Sequence, residues 1–157
     1  MNSSVYLETS IIGYLASRPS RDLVTAANQQ LTHDWWNDHR QHFDLYVSEP
    51  VVAECTAGDP RAAQQRLETM TDLPLLDTTQ QAEDLANRLI QQIPLPENAE
   101  VDALHIAIAT VNGMDYLLTW NCAHLANASL QHRIEAICRS AGYDPPTICT
   151  PQQLMEN

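Results

Sequence analysis

The sequence predicts an α/β protein of three layers, in which helices cover both faces of a mostly parallel central sheet. Two observations support this class. First, short apolar runs alternate with stretches of helical periodicity, and such βα units pair as a parallel sheet that is buried on both faces. Second, the helix predicted over residues 103–111 contains only His105 and Thr110 as polar residues, so it must be buried. The runs predicted as strands are 3–7, 45–47, 73–76, 116–118 and 147–149.

Length and charge restrict the class of protein. The chain has 157 residues, which suits one domain with a sizeable core, and we expect residues 1–157 to form a single domain. Its formal net charge is -12, and all eight cations are arginines. Phosphate binding depends on clustered cations, so this acidity argues against a broad, nonspecific nucleic-acid surface. It allows a local contact through metal ions and a few arginines, and it also suits a basic protein partner.

The cysteines and the hydropathy predict a cytoplasmic protein. Cys55, Cys122, Cys138 and Cys149 have no CxxC spacing, and no signal peptide precedes them, so we expect reduced thiols. We interpret Cys122 as a small core residue, with a reactive thiol beside Asn121 as the less favoured alternative. No apolar run approaches the roughly 18 residues that a membrane span needs, so no membrane segment is expected.

The first predicted strand leads directly into Glu8, Thr9 and Ser10. Thr9 or Ser10 can cap a helix that begins near Ile11, which leaves Glu8 at the C-terminal tip of the strand. Taken alone, Glu8 is explained by the preference of acids for a helix N-terminus.

A polar break and a long helix follow. Arg18 and Arg21 lie in the break and are candidates for contact with phosphate, although either fits a solvated loop. The helix is predicted over residues 22–42, with an apolar stripe that begins at Leu23 and ends at Trp35.

The second strand is predicted to end at Ser48, which can cap the next helix. Glu54 lies in the second turn of that helix and would ordinarily be a solvent-facing acid. The third run, residues 73–76, is predicted to be a buried strand followed by a helix that Asp77 or Thr78 caps.

The buried helix and the strand after it are the most informative part of the chain. Asp102 lies at the mouth of the helix, and Gly113 suits its C-terminal end. The strand then ends in Thr119, Trp120 and Asn121. We interpret His105 as a buried histidine with satisfied hydrogen bonds, with a role in proton transfer as the less favoured alternative.

Three acids are predicted to converge at the ends of the strands. Glu8, Glu54 and Asp102 each follow a strand or open the neighbouring helix, and parallel strands bring such positions to one edge of the sheet. Close carboxylates raise one another's pKa, and a divalent cation resolves that conflict. Oxygen ligands favour Mg²⁺ or Mn²⁺ over zinc, and the histidines show no zinc-ligand spacing. The chain also lacks a P-loop, a GxSxG elbow and a GxGxxG motif.

Four segments in this order resemble the PIN-domain ribonucleases, and more narrowly the VapC-like toxins of type II toxin–antitoxin pairs. The segments are VYLETS, SEPVVAE, VDALHIAIA and LLTWN, and the resemblance spans residues 5–149. It implies a PIN-like fold, cleavage of RNA phosphodiester bonds with Mg²⁺ or Mn²⁺, a cognate antitoxin and a homodimer.

The resemblance also implies four site residues, which are Glu8, Glu54, Asp102 and Asn121. Glu8 stands where most members have aspartate, with Thr9 and Ser10 as supporting hydroxyls. Asn121 stands where most have a second aspartate, and Thr119 keeps the preceding hydroxyl. We hypothesise that Glu8 and Asp102 bind the metal directly, while Glu54 binds it through water or acts as a general base. Since Asn121 removes one charge, a second ion should bind less well.

Two other functions remain open from the sequence. One is a PIN-like module that binds RNA or a partner without efficient cleavage, which Asn121 and the acidity favour. The other is a metal-dependent phosphatase acting on a small metabolite, which usually needs a nucleophilic aspartate where this chain has Glu8.

Overall fold

The computed structural model describes residues 2–93, 99–121 and 128–156. Within these ranges the strands form one five-stranded sheet in the order β3-β2-β1-β4-β5, and every pairing is parallel. The predicted class is therefore confirmed. The strands are β1 (Ser3–Leu7), β2 (Phe43–Ser48), β3 (Leu75–Leu76), β4 (Tyr116–Leu118) and β5 (Thr147–Cys149).

Helices flank the sheet and complete a three-layer α/β/α arrangement. No helix in the described ranges is long and apolar enough to cross a membrane. The helices are α1 (Thr9–Ala16), α2 (Leu23–Asp38), α3 (Glu49–Cys55), α4 (Pro60–Thr69), α5 (Gln80–Gln92), α6 (Ala99–Val111), α7 (Ala128–Ser140) and α8 (Pro151–Met155), with a 3-10 turn at Arg40–His42.

The central strand β1 determines where the candidate site lies. It pairs with β2 on one side and β4 on the other, with Tyr6 opposite both Tyr46 and Leu117. The C-terminal tips of these three strands therefore meet at one edge of the sheet, as predicted. Glu8, Ser48 and Thr119 lie at these tips.

Helix α6 is buried, as its apolar sequence predicts. Ala103 and residues 106–109 are at most 1% exposed. Gly113 follows the helix with φ 68°, and the N–H of Met114 returns to the carbonyl of Ala109 over 3.0 Å. A positive φ is accessible to glycine without strain, so this residue ends the helix as expected.

The expected caps of two helices were wrong. Glu8 itself caps α1, because its side chain reaches forward to the N–H of Ser10 over 3.1 Å. Thr79 caps α5, and its hydroxyl accepts from the N–H of Ala82 over 3.2 Å. Asp77 and Thr78, which were the predicted caps of α5, instead lie in the segment between β3 and that helix.

The third strand and the stripe on α2 also differ from expectation. The strand is two residues long, and Leu75 is 51% exposed because it lies at the sheet edge. On α2, Leu23 is 85% exposed, whereas Gln29 and Trp35 are buried. Gln29 is inside because its amide bonds the loop before the helix, donating to the Ser17 hydroxyl over 2.7 Å.

Candidate active site

Glu8 is a buried carboxylate that is held on one oxygen. It is 6% exposed, and its Oε1 accepts from the N–H and the hydroxyl of Ser10 and, over 2.7 Å, from the hydroxyl of Thr119. The Ser10 hydroxyl accepts in turn from the N–H of Trp120 over 2.9 Å. Within the described residues, Oε2 of Glu8 accepts no hydrogen bond. The tip of β1 therefore presents one fixed oxygen and one that is available to a ligand.

Asp102 lies in the first turn of α6, and Asn121 lies next to it. Asp102 is 9% exposed, and Nδ2 of Asn121 donates to its Oδ1 over 3.4 Å. The nitrogen of this amide therefore faces the Asp102 side chain. The N–H of Asn121 also donates to the Thr119 hydroxyl over 2.9 Å. Thr119 and Asn121 thus link Glu8 to Asp102, because Asn121 bonds Thr119 through its backbone N–H and Asp102 through its side chain.

Glu54 lies on α3, and its environment differs from that of the other acids. Its side chain is 39% exposed, and its Oε1 contacts the Thr9 hydroxyl over 2.6 Å and Nε2 of His105 over 2.7 Å. Partial burial raises the pKa of Glu54, but hydrogen bonds from His105 and Thr9 and the attraction of the His105 ring outweigh it. The pKa of this carboxyl therefore lies below its ordinary value, which keeps Glu54 ionised.

A buried hydrogen-bonded chain stands behind Glu54. His105 is 1% exposed, and its Nδ1 lies 2.6 Å from the Tyr6 hydroxyl, which lies 2.6 Å from the Ser48 hydroxyl. The Glu54 carboxylate only accepts, so Nε2 of His105 carries a proton. The Tyr6 hydroxyl thus has two partners, Nδ1 of His105 and the Ser48 hydroxyl, and its donor and acceptor roles follow from the tautomer of the ring. The interpretation of His105 as a satisfied buried histidine is confirmed.

Tyr6 connects the acids electrostatically. Burial raises the pKa of its hydroxyl, the hydrogen bond with Ser48 lowers it, and the charges of Glu8 and Glu54 raise it further. The net pKa is well above the ordinary value, so Tyr6 remains protonated and able to donate. The charges of Glu8 and Glu54 therefore both disfavour ionisation of the Tyr6 hydroxyl.

The thiols are structural. Cys55, Cys138 and Cys149 are buried and unpaired, in agreement with the prediction of reduced cysteines. Burial raises the pKa of Cys55 and of Cys149 to about 11, which keeps both thiols protonated. Cys122 lies outside the described residues, so the prediction made for it stays a prediction.

Comparisons with known proteins identify the fold. No family model and no curated protein sequence matches the chain. VapC20 of Mycobacterium tuberculosis, described as a toxin that cleaves the sarcin-ricin loop, superposes with a TM-score of 0.61 at 16% identity, covering 90% of this chain and 99% of that one. VapBC2 of Rickettsia felis, solved with a DNA fragment from its promoter, superposes with a TM-score of 0.52 at 17% identity. The match covers 76% of this chain and 88% of that one. The chain has a VapC-like PIN-domain fold.

This PIN fold brings the predicted site residues to one edge of its sheet. Glu8, Asp102 and Asn121 are linked through Thr119, and Glu54 is bonded to Thr9 at the start of α1. Ser10 is the second hydroxyl on Glu8. The other two candidates, Arg18 and Arg21, lie between α1 and α2, and in the described part of the chain neither bonds any of these acids.

Sequence reasoning missed the roles of Tyr6 and Ser48 in this PIN fold. From the sequence, Tyr6 was predicted only as a residue of the first strand, and Ser48 only as the cap of the helix that follows the second strand. One signal was present, because a tyrosine in a buried strand needs a partner for its hydroxyl. The choice of His105 as that partner depends on a contact across 99 residues of sequence, which periodicity does not report.

The donor set suits one hard cation. Among the described residues, no group of three or more His, Cys, Asp or Glu side chains is arranged to hold a metal. What this PIN fold offers is the carboxylates of Glu8 and Asp102. The Asn121 amide faces Asp102 with its nitrogen, so its oxygen is directed away from that carboxylate. Mg²⁺ typically uses one or two carboxylates and keeps several waters, so the two acids fit its chemistry.

Proposed function

We propose that this protein is a Mg²⁺- or Mn²⁺-dependent endoribonuclease and the toxin of a toxin–antitoxin pair. The observation that supports it most is the hydrogen-bonded path from Glu8 through Thr119 and Asn121 to Asp102. This path holds two carboxylates from different elements at the C-terminal edge of the sheet, in a VapC-like fold.

Glu8 and Asp102 would hold the ion, and the Asn121 amide would have to turn to present its oxygen as a weaker ligand. A bound Mg²⁺ or Mn²⁺ would polarise the phosphodiester and stabilise the developing charge on the leaving oxygen. Ser10 and Thr119 keep Oε1 of Glu8 fixed, which directs its other oxygen toward the ligand. This is preorganisation, because the carboxylate does not have to be reoriented when the substrate binds.

Glu54 would act as the general base. It is ionised, partly exposed and fixed on one oxygen by Thr9 and His105, so its second oxygen can accept a proton from the attacking water. The water oxygen then forms the new bond to phosphorus as the bond to the leaving oxygen breaks. Buried Tyr6 and His105 keep the base in one orientation throughout.

RNA is the substrate of this proposal, and the remaining assignments follow from it. An antitoxin with a basic segment would cover the acids, since a chain of net charge -12 favours such a partner. A homodimer in the cytoplasm completes the proposal.

A second candidate is a PIN-like module that binds RNA or a partner but cleaves poorly. Its support is Asn121, whose amide donates to Asp102 and leaves two carboxylates, those of Glu8 and Asp102, on this side of the site. The metabolite phosphatase gains no support from the contacts of Glu8, because three donors hold the oxygen Oε1 of this residue.

Cleavage of a mixed set of short RNAs separates these candidates. Wild-type protein, Asp102→Asn and Glu83→Gln, a matched loss of one exposed charge on α5, are assayed with Mn²⁺, Mg²⁺ or EDTA. The proposal expects metal-dependent fragments from wild type and Glu83→Gln and none from Asp102→Asn. Equal, metal-independent backgrounds in all three proteins would support the binding module.

A further inference from the structure

A cavity lined by arginines lies at the far end of α1 from Glu8. It has a volume of about 270 Å³ and lies between the end of α1 and the first turns of α4. Arg18, Arg61 and Arg66 line it, so three of the eight arginines of an acidic chain face one cavity. We call this group the arginine pocket.

The charge in the arginine pocket is available to a ligand. Arg18 and Arg61 are exposed, and among the described residues neither side chain makes a hydrogen bond or an ion pair. Asp59 is the acid among the lining residues, and its Oδ2 is occupied as the cap of α4, accepting from the N–H of Ala62 over 3.0 Å. The cavity therefore has an excess of positive charge.

Arg66 fixes the arginine pocket relative to the catalytic helices. Its guanidinium donates to the carbonyl of Cys55 over 2.9 Å and to that of Ala57 over 2.8 Å. Cys55 directly follows the proposed base Glu54 and ends α3. Two of the five guanidinium N–H groups are used in this way, and the others remain for a ligand.

We propose that the arginine pocket binds a backbone phosphate of the RNA strand, away from the bond that is cleaved. This inference rests on the proposed function. Guanidinium groups match phosphate geometry in paired hydrogen bonds, and a local cluster is what an acidic protein needs to hold a polyanion. Helix α1 has eight residues and spans about 12 Å, so a strand that passes Glu8 reaches the pocket within a few nucleotides.

RNA is favoured over an acidic peptide because of this placement. The pocket contacts the helix that Glu8 caps, α1, and is bonded through Arg66 to the end of α3, which carries Glu54. A strand that binds there is held about one α1 length from Glu8, within reach of the reacting centre. An acidic protein segment would gain nothing from that placement.

The test measures binding of a fluorescent single-stranded RNA in EDTA, where the proposed cleavage does not occur, over a range of NaCl concentrations. The variants are Arg18→Gln, Arg61→Gln and their double, and the control is Arg139→Gln, an exposed arginine on α7. Arg66 is left unchanged because it holds two backbone carbonyls. Circular dichroism verifies that every variant is folded.

Each pocket substitution should weaken RNA binding roughly threefold to tenfold for any base sequence and reduce the salt dependence by about one contact. Arg139→Gln should keep the wild-type slope. In a cleavage assay with Mn²⁺ the double variant should raise KM with little change in kcat. If the double variant kept the wild-type RNA affinity and the wild-type salt dependence of that affinity, the proposed role of the pocket would be contradicted, even where cleavage itself is intact.

Further measurements distinguish RNA from other anionic ligands, and they separate the pocket proposal from the proposed nuclease activity. Calorimetric binding of inorganic phosphate or of polyglutamate that depends on Arg18 and Arg61, with RNA binding unchanged, would overturn the assignment to RNA. Arginine-dependent RNA binding by a protein that never cleaves would support the pocket and contradict the nuclease. Absence of RNA binding by wild type would overturn the pocket directly.

Discussion

The hydroxyl of Thr119 donates to Oε1 of Glu8 over 2.7 Å and joins the ends of β1 and β4. The same hydroxyl accepts from the N–H of Asn121. One buried side chain thus connects the acid on the central strand with the residue that contacts Asp102. These two hydrogen bonds between protein groups position Glu8 and Asn121 relative to each other.

Thr119→Val should therefore reduce activity more than the small change in side-chain size suggests. Valine keeps the shape of the side chain but removes the donor to Glu8 and the acceptor for Asn121. This loss should lower the free energy of unfolding by about 1–2 kcal/mol. Loss of a residue that orients a metal ligand should lower cleavage about tenfold to a hundredfold. Cleavage rates and urea denaturation measure both effects. Thr119→Ser, which keeps the hydroxyl, should remain near wild type, and equal losses in the two variants would contradict this role.

Replacement of His105 should affect Glu54. His105→Leu removes the N–H donor that lowers the pKa of Glu54, so that pKa rises and the acidic limb of the pH–rate profile moves to higher pH. The maximal rate should also fall by about tenfold or more. His105→Gln can place an amide N–H near the position of Nε2 and should recover part of both effects. An unshifted profile in His105→Leu would show that the histidine only fills space.

Glu54 should also make stability depend on pH in the acidic range. Its pKa is lower in the folded chain than its ordinary value of 4.5, so its stabilising contribution is present above pH 4.5 and is lost as pH falls through the folded pKa. The difference in unfolding free energy between wild type and Glu54→Gln should therefore shrink from pH 7 to pH 3. Urea titrations at several pH values measure it, with the exposed Glu83→Gln as the reference. A difference that is constant with pH would argue against the hydrogen bonds assigned to Glu54.

Asn121→Asp should lower the stability of the metal-free protein and raise its affinity for Mn²⁺. The substitution replaces the donor to Asp102 with a second carboxylate, and like charges at this distance repel. In EDTA the variant should melt at a lower temperature than wild type, and Mn²⁺ should raise its melting temperature more. Thermal melts with increasing Mn²⁺ test this, with Asn121→Ser as a variant that adds no charge. A melting temperature that does not respond to Mn²⁺ would be evidence against an ion beside Asp102.

The parts of this protein that sequence predicts are those that local patterns determine. Alternating strands and helices indicated the parallel sheet, and the polar residues that follow β1 and β4 indicated the edge at which the candidate site lies. The short β3 and the inward-facing Gln29 were missed because sheet position and side-chain hydrogen bonds depend on the assembled fold. The bond between His105 and Glu54 joins residues 51 apart in sequence, and hydrophobic periodicity carries no information about such pairs.

A divalent ion shared by Glu8 and Asp102 is the central claim, and calorimetric titration with Mn²⁺ tests it most directly. Wild-type protein should bind roughly one Mn²⁺ per chain, as expected for a site with two carboxylates and one amide. Asp102→Asn and Glu8→Gln should each abolish or strongly weaken that binding, while Glu83→Gln leaves it unchanged. Absence of Mn²⁺ binding by a folded wild-type chain, or binding that survives both substitutions, would contradict the account.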